Sequence, residues 1–246
     1  MNGILKMIAF LLLALSVKAQ PSGQVTYERR QYYTKMLAEL SYMSQADIDR
    51  QKLTWGKDDG RGMDMELAFN ERLSRYQQAE AENEGGWSWK AETFILTRDY
   101  EGKQLQDQLE TLGKRYVVEG EMARPKWKVL NEIKEIAGYI CMKAETRDTA
   151  RNRTVRAWFT DAIRSPAGPE GYWGLPGLIL GLEIGDGVVV IEAKKVVLSD
   201  QPLEIAWGGK MKGKKIGYGP YNSMVNKYFK EAIEAKRNPY WNLRYW

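Results

Sequence analysis

The chemistry open to this chain is bounded by the groups it lacks. Its 246 residues include no histidine. That removes the usual Ser-His-Asp and Cys-His nucleophile arrangements and the commonest ligand for zinc and copper. The single cysteine, Cys141, has no internal disulfide partner. It stands in the alternating stretch 136–144, which predicts a buried structural thiol, with pairing to a second molecule in an oxidising compartment as the alternative. Carboxylates are abundant, yet no two stand where one would serve as general acid and the other as base. Asp58-Asp59-Gly60-Arg61-Gly62 lacks the alternating oxygen ligands and distal Glu of a calcium loop, so a solvated turn is expected. The glycines of 171–187 do not make a phosphate loop, since no Lys-Ser/Thr follows and no helix N-terminus is signalled. No catalytic residue, metal ligand or cofactor is expected.

Binding is the remaining chemistry. Lys194-Lys195 and the lysines of 210–215 suit an acidic partner or phosphate groups, although solvated loop charge explains them as well. Trp87-Ser88-Trp89 suits a carbohydrate platform or a strand edge, with structural packing the commoner reason for such a pattern. The tail is more demanding. Tyr240, Trp241, Leu243, Tyr245 and Trp246 crowd a chain end, where frayed, polar residues are the rule. Leaving such side chains in water forgoes roughly 1.5–3 kcal/mol for each one that burial would cover. They have a surface to cover, on their own domain or on a partner. Partner docking through Tyr240, Trp241, Arg244, Tyr245 and Trp246 is the reading favoured for part of this tail.

The elements that must position these residues begin with a leader. Lys6 precedes the apolar run 7–15, and Val17-Lys18-Ala19 offers a small-x-small cleavage site. Residues 1–19 read as a secretory signal peptide, cut before Gln20. The run is far short of the ~20 residues a membrane span needs. No cysteine follows the site, so a lipid anchor is not expected. Residues 20–246 show no repeat and no linker, and are long enough to bury one core as a single domain. Loss of Lys6 and Lys18 trims the formal charge of +5 by two, too mild a balance for a nucleic-acid binder.

The most apolar and glycine-rich stretch is 171–191, which predicts the central hairpin of a sheet. Pro176 opens a strand through Leu178 and Ile184, Gly185-Asp186-Gly187 supplies the positive φ of a tight turn, and 188–198 returns as one long strand. Further strands are expected at 25–27, 66–70, 74–76, 94–97, 115–119, 127–130, 136–144, 155–160 and 205–207. A helix or two short helices should occupy 32–53, with Ser44 as a fresh N-cap. Leu105, Leu109 and Leu112 suggest a helical turn or two. Residues 208–219 read as a loop before a closing helix capped by Asn222 or Ser223 and stopped by Pro239.

Gly174-Leu175-Pro176-Gly177-Leu178-Ile179 resembles the signature of the GLPGLI family of secreted Bacteroidota proteins. Trp158, Thr160, Gly168 and Pro169 stand upstream at the family's spacing, and Gly138-Tyr139 to Lys143-Ala144 resembles its strand with one cysteine. The resemblance carries no settled activity. It implies export to the periplasm or outer membrane. Asp148-Thr149-Ala150 resembles the three-residue site at which Bacteroidota O-glycosylate exported proteins, which makes Thr149 a candidate.

The expected fold is therefore α+β and β-rich: a strongly curved antiparallel sheet, of the lipoprotein-carrier half-barrel kind, with helices near the N-terminus and at the C-terminus. A closed barrel or β-sandwich is the alternative. The expected role is a non-enzymatic exported binding protein, an accessory subunit docking on an outer-membrane protein complex. The alternative is a periplasmic carrier or chaperone that holds a lipid-like or peptide ligand in a concave sheet. In neither reading does the chain bind nucleic acid, and in neither is it itself an integral membrane protein.

Overall fold

The computed structural model describes residues 21–56, 59–60, 62–79, 93–208, 211–241 and 243–244. The expected signal peptide, Trp87-Ser88-Trp89, Tyr245 and Trp246 lie outside the described residues.

The chain forms one sheet around its first strand, β1 (Ser22–Gln31). On one side a meander steps outward through β2 (Gly62–Phe69), β3 (Leu73–Gln78), β4 (Phe94–Asp99), β5 (Gln104–Thr111) and β6 (Lys114–Glu121). On the other side a second meander steps inward through β7 (Lys128–Ile136), β8 (Tyr139–Asp148), β9 (Arg153–Thr160), β10 (Leu178–Ile184) and β11 (Val189–Ser199), which pairs with β1. These neighbours are all antiparallel; β12 (Lys214–Gly217) adds to β6 in parallel. The full order is β12-β6-β5-β4-β3-β2-β1-β11-β10-β9-β8-β7.

Connectivity forces the curvature. β6 and β7 stand ten places apart in that order, about 48 Å along a flat sheet at roughly 4.8 Å per strand. The connector 122–127 spans at most about 25 Å when fully extended. A flat sheet is impossible, so the strands curl into a cup whose two rims are tied by this short connector. The sheet stays open, because β12 and β7 do not pair. The expected curved antiparallel sheet is the observed one, and neither a closed barrel nor a sandwich forms.

The inner face is lined by large buried side chains. Tyr27, Phe69, Tyr76 and Phe159 are at most 1 % exposed, with Leu67, Leu96, Leu180 and Ile184 beside them. Among the described residues three α-helices flank the sheet. α1 (Tyr33–Ala38) and α2 (Gln45–Trp55) are the two short helices of the N-terminal excursion; the Ser44 hydroxyl accepts the Asp47 N–H at 3.2 Å and caps α2. α3 (Tyr218–Glu234) lies against β6 and β12 and buries Tyr221 and Ala232.

The central hairpin forms as its turn chemistry requires, with φ of 61° at Gly185, 51° at Asp186 and 80° at Gly187. Several expectations are corrected. The stretch around Leu105 and Leu109 is strand β5, not helix. Its core face is Leu105, Asp107, Leu109 and Thr111, and a four-residue leucine spacing fits a two-residue period as well as a helical one. The expected single strand 136–144 is interrupted by a hairpin turn, Ala137-Gly138, both at positive φ. The loop 208–219 contains β12, and α3 starts at Tyr218 with Gly217 as its N-cap, ahead of Asn222 and Ser223. Residues 205–207 form no strand.

Candidate functional site

The glycine-rich signature holds the cup together. Leu178 and Ile179 are fully buried at the start of β10. The Ile179 carbonyl accepts the buried Tyr27 hydroxyl at 2.6 Å, which locks the signature onto the central strand. Gly177 passes so close to the Thr160 carbonyl that a Cβ would overlap it. Gly174, at φ 91°, presents its carbonyl to Arg124, whose Nε donates at 3.0 Å. Arg124 belongs to the β6–β7 connector, so the signature also anchors the segment that ties the rims. Gly168 and Pro169 lead into a 3-10 turn that ends at Gly171. Trp158 is half-buried, with the Lys143 and Lys134 ammonium groups at 5.4 and 6.0 Å from its ring centre.

That turn carries the least expected group, Glu170. Its side chain is 0 % exposed. One carboxylate oxygen, Oε1, accepts from Arg244 at 2.8 Å, Arg29 at 3.1 Å and the Tyr76 hydroxyl at 3.3 Å. Glu170 adopts φ 52° and Gly171 φ 75°. This double left-handed step turns the carboxylate inward, and a side chain at 171 would strike the Arg98 guanidinium. Burial pushes the Glu170 carboxyl up, but the Arg244 and Arg29 guanidiniums outweigh it and hold it below its ordinary value. Burial, with Arg244 alongside, lowers Arg29 to about 10.

Two further ion pairs lie nearby. Arg98 on β4 pairs with Asp107 on β5, both buried. Asp107 also accepts the Thr97 N–H at 3.2 Å, and burial pushes its carboxyl up against the pull of Arg98. In the β8–β9 turn, Asp148 accepts from Arg151 at 2.8 Å and from the Tyr172 hydroxyl at 3.0 Å. Burial raises the Asp148 carboxyl, yet Arg151 and these bonds overcome it and set it low. These pairs surround a half-open cleft of about 590 Å³ where the rims meet. Its walls are the β6–β7 connector, the β8–β9 turn, residues 170–173 and Tyr218 at the start of α3.

Two of the five tail residues singled out from the sequence engage the chain itself. The Tyr240 ring packs edge-on against Phe229 at 5.7 Å, and its hydroxyl accepts from Arg153 at 2.9 Å. Arg244 lies over the Phe94 ring at 3.8 Å while it reaches Glu170, and Leu243 is buried. Thr149 is exposed on the cleft rim. Cys141 is buried, and burial pushes its thiol up to about 11. Among the described residues no group of three His, Cys, Asp or Glu side chains is placed to hold a metal, and no helix is long and apolar enough to cross a membrane.

Sequence reasoning missed Arg29, Arg98, Asp107 and Glu170. The first three had a signal. Arg29 follows Val25 and Tyr27, Arg98 follows Phe94 and Leu96, and Asp107 sits between Leu105 and Leu109. Each is a charge at a core-phase position of a strand. Such a charge is tolerated inside only with a partner.

Comparison with known proteins adds little chemistry. Residues 145–181 match the model of a family described as a protein of unknown function (Porph_ging). No protein with a curated description matches. Two solved structures, titled as PNGF-II in its P21 and C2 space groups, align over 84 % of this chain at 14 % and 15 % identity, with TM-scores of 0.53 and 0.51. This chain spans 33 % of each solved chain, and the likeness is one of fold alone. The matched segment runs from the end of β8 through the whole signature, and it points to a Bacteroidota-type family.

Proposed function

We propose that this chain is an exported, non-catalytic binding domain of the GLPGLI type, which docks on an envelope protein complex by taking a polar segment of it into the rim cleft. The observation that supports this reading is the contrast between a filled interior and a charged opening. A lipid carrier needs an apolar cavity for its ligand. Here the inner face is occupied by its own tyrosines, phenylalanines and aliphatic side chains. The rim cleft is lined by Arg98, Asp107, Asp148 and Arg151 among others, and an acyl chain laid against these groups would strip them of water with nothing in return. Trp241, Tyr245 and Trp246 are proposed as a second contact on sequence grounds, and Thr149 as a glycan acceptor at the cleft rim.

A mild-detergent pull-down from the native envelope, followed by mass spectrometry of proteins and lipids, tests the reading. A stoichiometric protein partner is the expected result. Lipid recovered without such a protein would establish the carrier instead. Turnover of peptide, glycan or ester substrates, abolished by one Asp or Glu substitution, would overturn the non-catalytic assignment.

A further inference from the structure

We propose that the segment taken into the rim cleft is an acidic peptide; this rests on the docking reading above. The inference comes from how the charges of the cleft are satisfied. Asp107, Asp148 and Glu170 each lie against a guanidinium of this chain. Arg124, Lys126 and Arg147 line the same cleft, are exposed, and have no carboxylate partner among the described residues. Two of these three are nonetheless held in place. Arg147 donates to Asn152 Oδ1 at 2.6 Å and Thr154 Oγ1 at 3.1 Å, and Arg124 donates to the Gly174 carbonyl. Neutral acceptors of this kind orient a guanidinium without cancelling its charge. Behind the wall, Arg29 and Arg244 share the single carboxylate of Glu170, which leaves one more positive charge inside. Glu121 is the one lining carboxylate with no cation partner among the described residues. The cleft therefore presents a positive field in a partly enclosed, low-dielectric space, where such fields attract anions most strongly.

The volume of about 590 Å³ is that of a ligand site, far larger than one small anion needs. A sugar would want an open aromatic face. The rings at this rim are instead packed on one another: Trp127 meets Tyr172 edge-on at 6.4 Å, and Trp173 tilts against Tyr100 at 5.6 Å. A peptide uses what remains. Its side-chain carboxylates meet Arg124, Lys126 and Arg147, while Glu121 at the same rim accepts from its backbone N–H groups.

The test is fluorescence anisotropy on the purified protein with three labelled peptides of one length, in which alanine alternates with Glu, Gln or Lys. The Glu peptide should bind at least about tenfold more tightly than the Gln peptide and weaken several-fold on going from low to physiological salt. The double variant Lys126→Gln, Arg147→Gln changes two exposed side chains, so its melting curve should stay in place while Glu-peptide affinity falls about tenfold or more. Equal binding of the Gln or Lys peptide, an unchanged affinity in the double variant, or equal binding of an oligogalacturonate of matched charge would each overturn the acidic-peptide assignment. Ala150→Trp, which fills the cleft from an exposed turn position, separates this proposal from docking itself. If that variant loses the envelope partner while the Glu peptide never binds, docking stands and the ligand class is wrong. If it keeps the partner, docking does not use the cleft and both assignments fall.

Discussion

The two wings of the sheet solve the same packing problem with different materials. In the wing β7–β11 the buried strand residues are apolar, apart from Thr146 and Thr160. In β1 and the wing β2–β6, Arg29, Arg98, Asp99 and Asp107 are buried among Tyr27, Leu96, Leu105 and Leu109. The dry wing carries the family match and the glycine signature. The charged side faces the cleft. A dry wing tolerates close backbone approach, as at Gly177, and needs no partner group to stay in register. A charged wing is stable only when every charge finds its counterpart: Arg98 and Asp107 meet each other, Asp99 meets Arg72, and Arg29 reaches out of the wing to Glu170, which Arg244 shares. The strands of one wing supply rigidity, and the other buries charge at the opening, where Arg98 and Asp107 face Arg147, Asp148 and Arg151 of the β8 end and the β8–β9 turn.

The sharpest way to break this comparison is Glu170→Gln. It leaves Arg29 and Arg244 buried without a counter-charge, and uncompensated buried charges of this kind cost about 3–5 kcal/mol. Urea unfolding at neutral pH should show that loss, with the midpoint displaced and the slope kept. Acid titration should show the same group from another side. The Glu170 carboxyl is held below its ordinary value of 4.5, so its stabilisation is present above that value and fades as pH falls through the lower folded-state value. Glu170→Gln should remove this component and flatten the acid limb of the stability curve. A variant within about 1 kcal/mol of the wild type and with an unchanged acid limb would mean the buried charges are not held as the geometry indicates.

On the dry wing the matching change is Leu182→Ala, at a residue 1 % exposed on β10. Deleting three buried carbons there should destabilise the protein by about 2–5 kcal/mol, with no change in the acid limb. Arg244→Met should cost less, about 1–3 kcal/mol, because Arg29 and Tyr76 still donate to Glu170 Oε1 and one surplus buried positive charge is removed. Combined with Glu170→Gln it should recover part of the loss, and a double-mutant cycle reads that coupling directly. A cost for Arg244→Met equal to that of Glu170→Gln would show the tail to be an equal member of the core rather than a strap laid over it.

The dry wing is also the more legible one, although the Ala137-Gly138 turn between β7 and β8 reads as continuous strand in the sequence. The hairpin at 185–187 announces itself through Gly-Asp-Gly between apolar runs, because turn chemistry is local. β5 does not, because the inward Asp107 hides the alternation that Leu105 and Leu109 would otherwise reveal. β12 has no apolar pattern of its own; Lys214 and Lys215 are exposed, and the strand is held by its pairing with β6. At the site, Arg29, Arg98 and Asp107 could be flagged as charges in core phase, but the sequence does not say which partner each meets. The Glu170–Arg244 contact joins a loop to a chain end 74 residues away, and nothing local in either segment encodes it.

The smallest effect is expected where the dry wing meets solvent. Ile133 on the edge strand β7 is 73 % exposed, with Val129 at 53 % and Ile140 at 61 % nearby. Single apolar residues at a surface change little when replaced, so Ile133→Ser should shift stability by no more than about 0.5 kcal/mol. The charges around it, Lys128, Glu132, Lys134 and Glu135, are those that keep an edge strand from pairing with other chains. Docking through the charged cleft therefore predicts that Ile133→Ser also leaves the recovered envelope partner unchanged. If the protein stays folded and the partner is lost, contact is made at the edge strand β7 and not in the cleft, and the charged opening is not the docking surface.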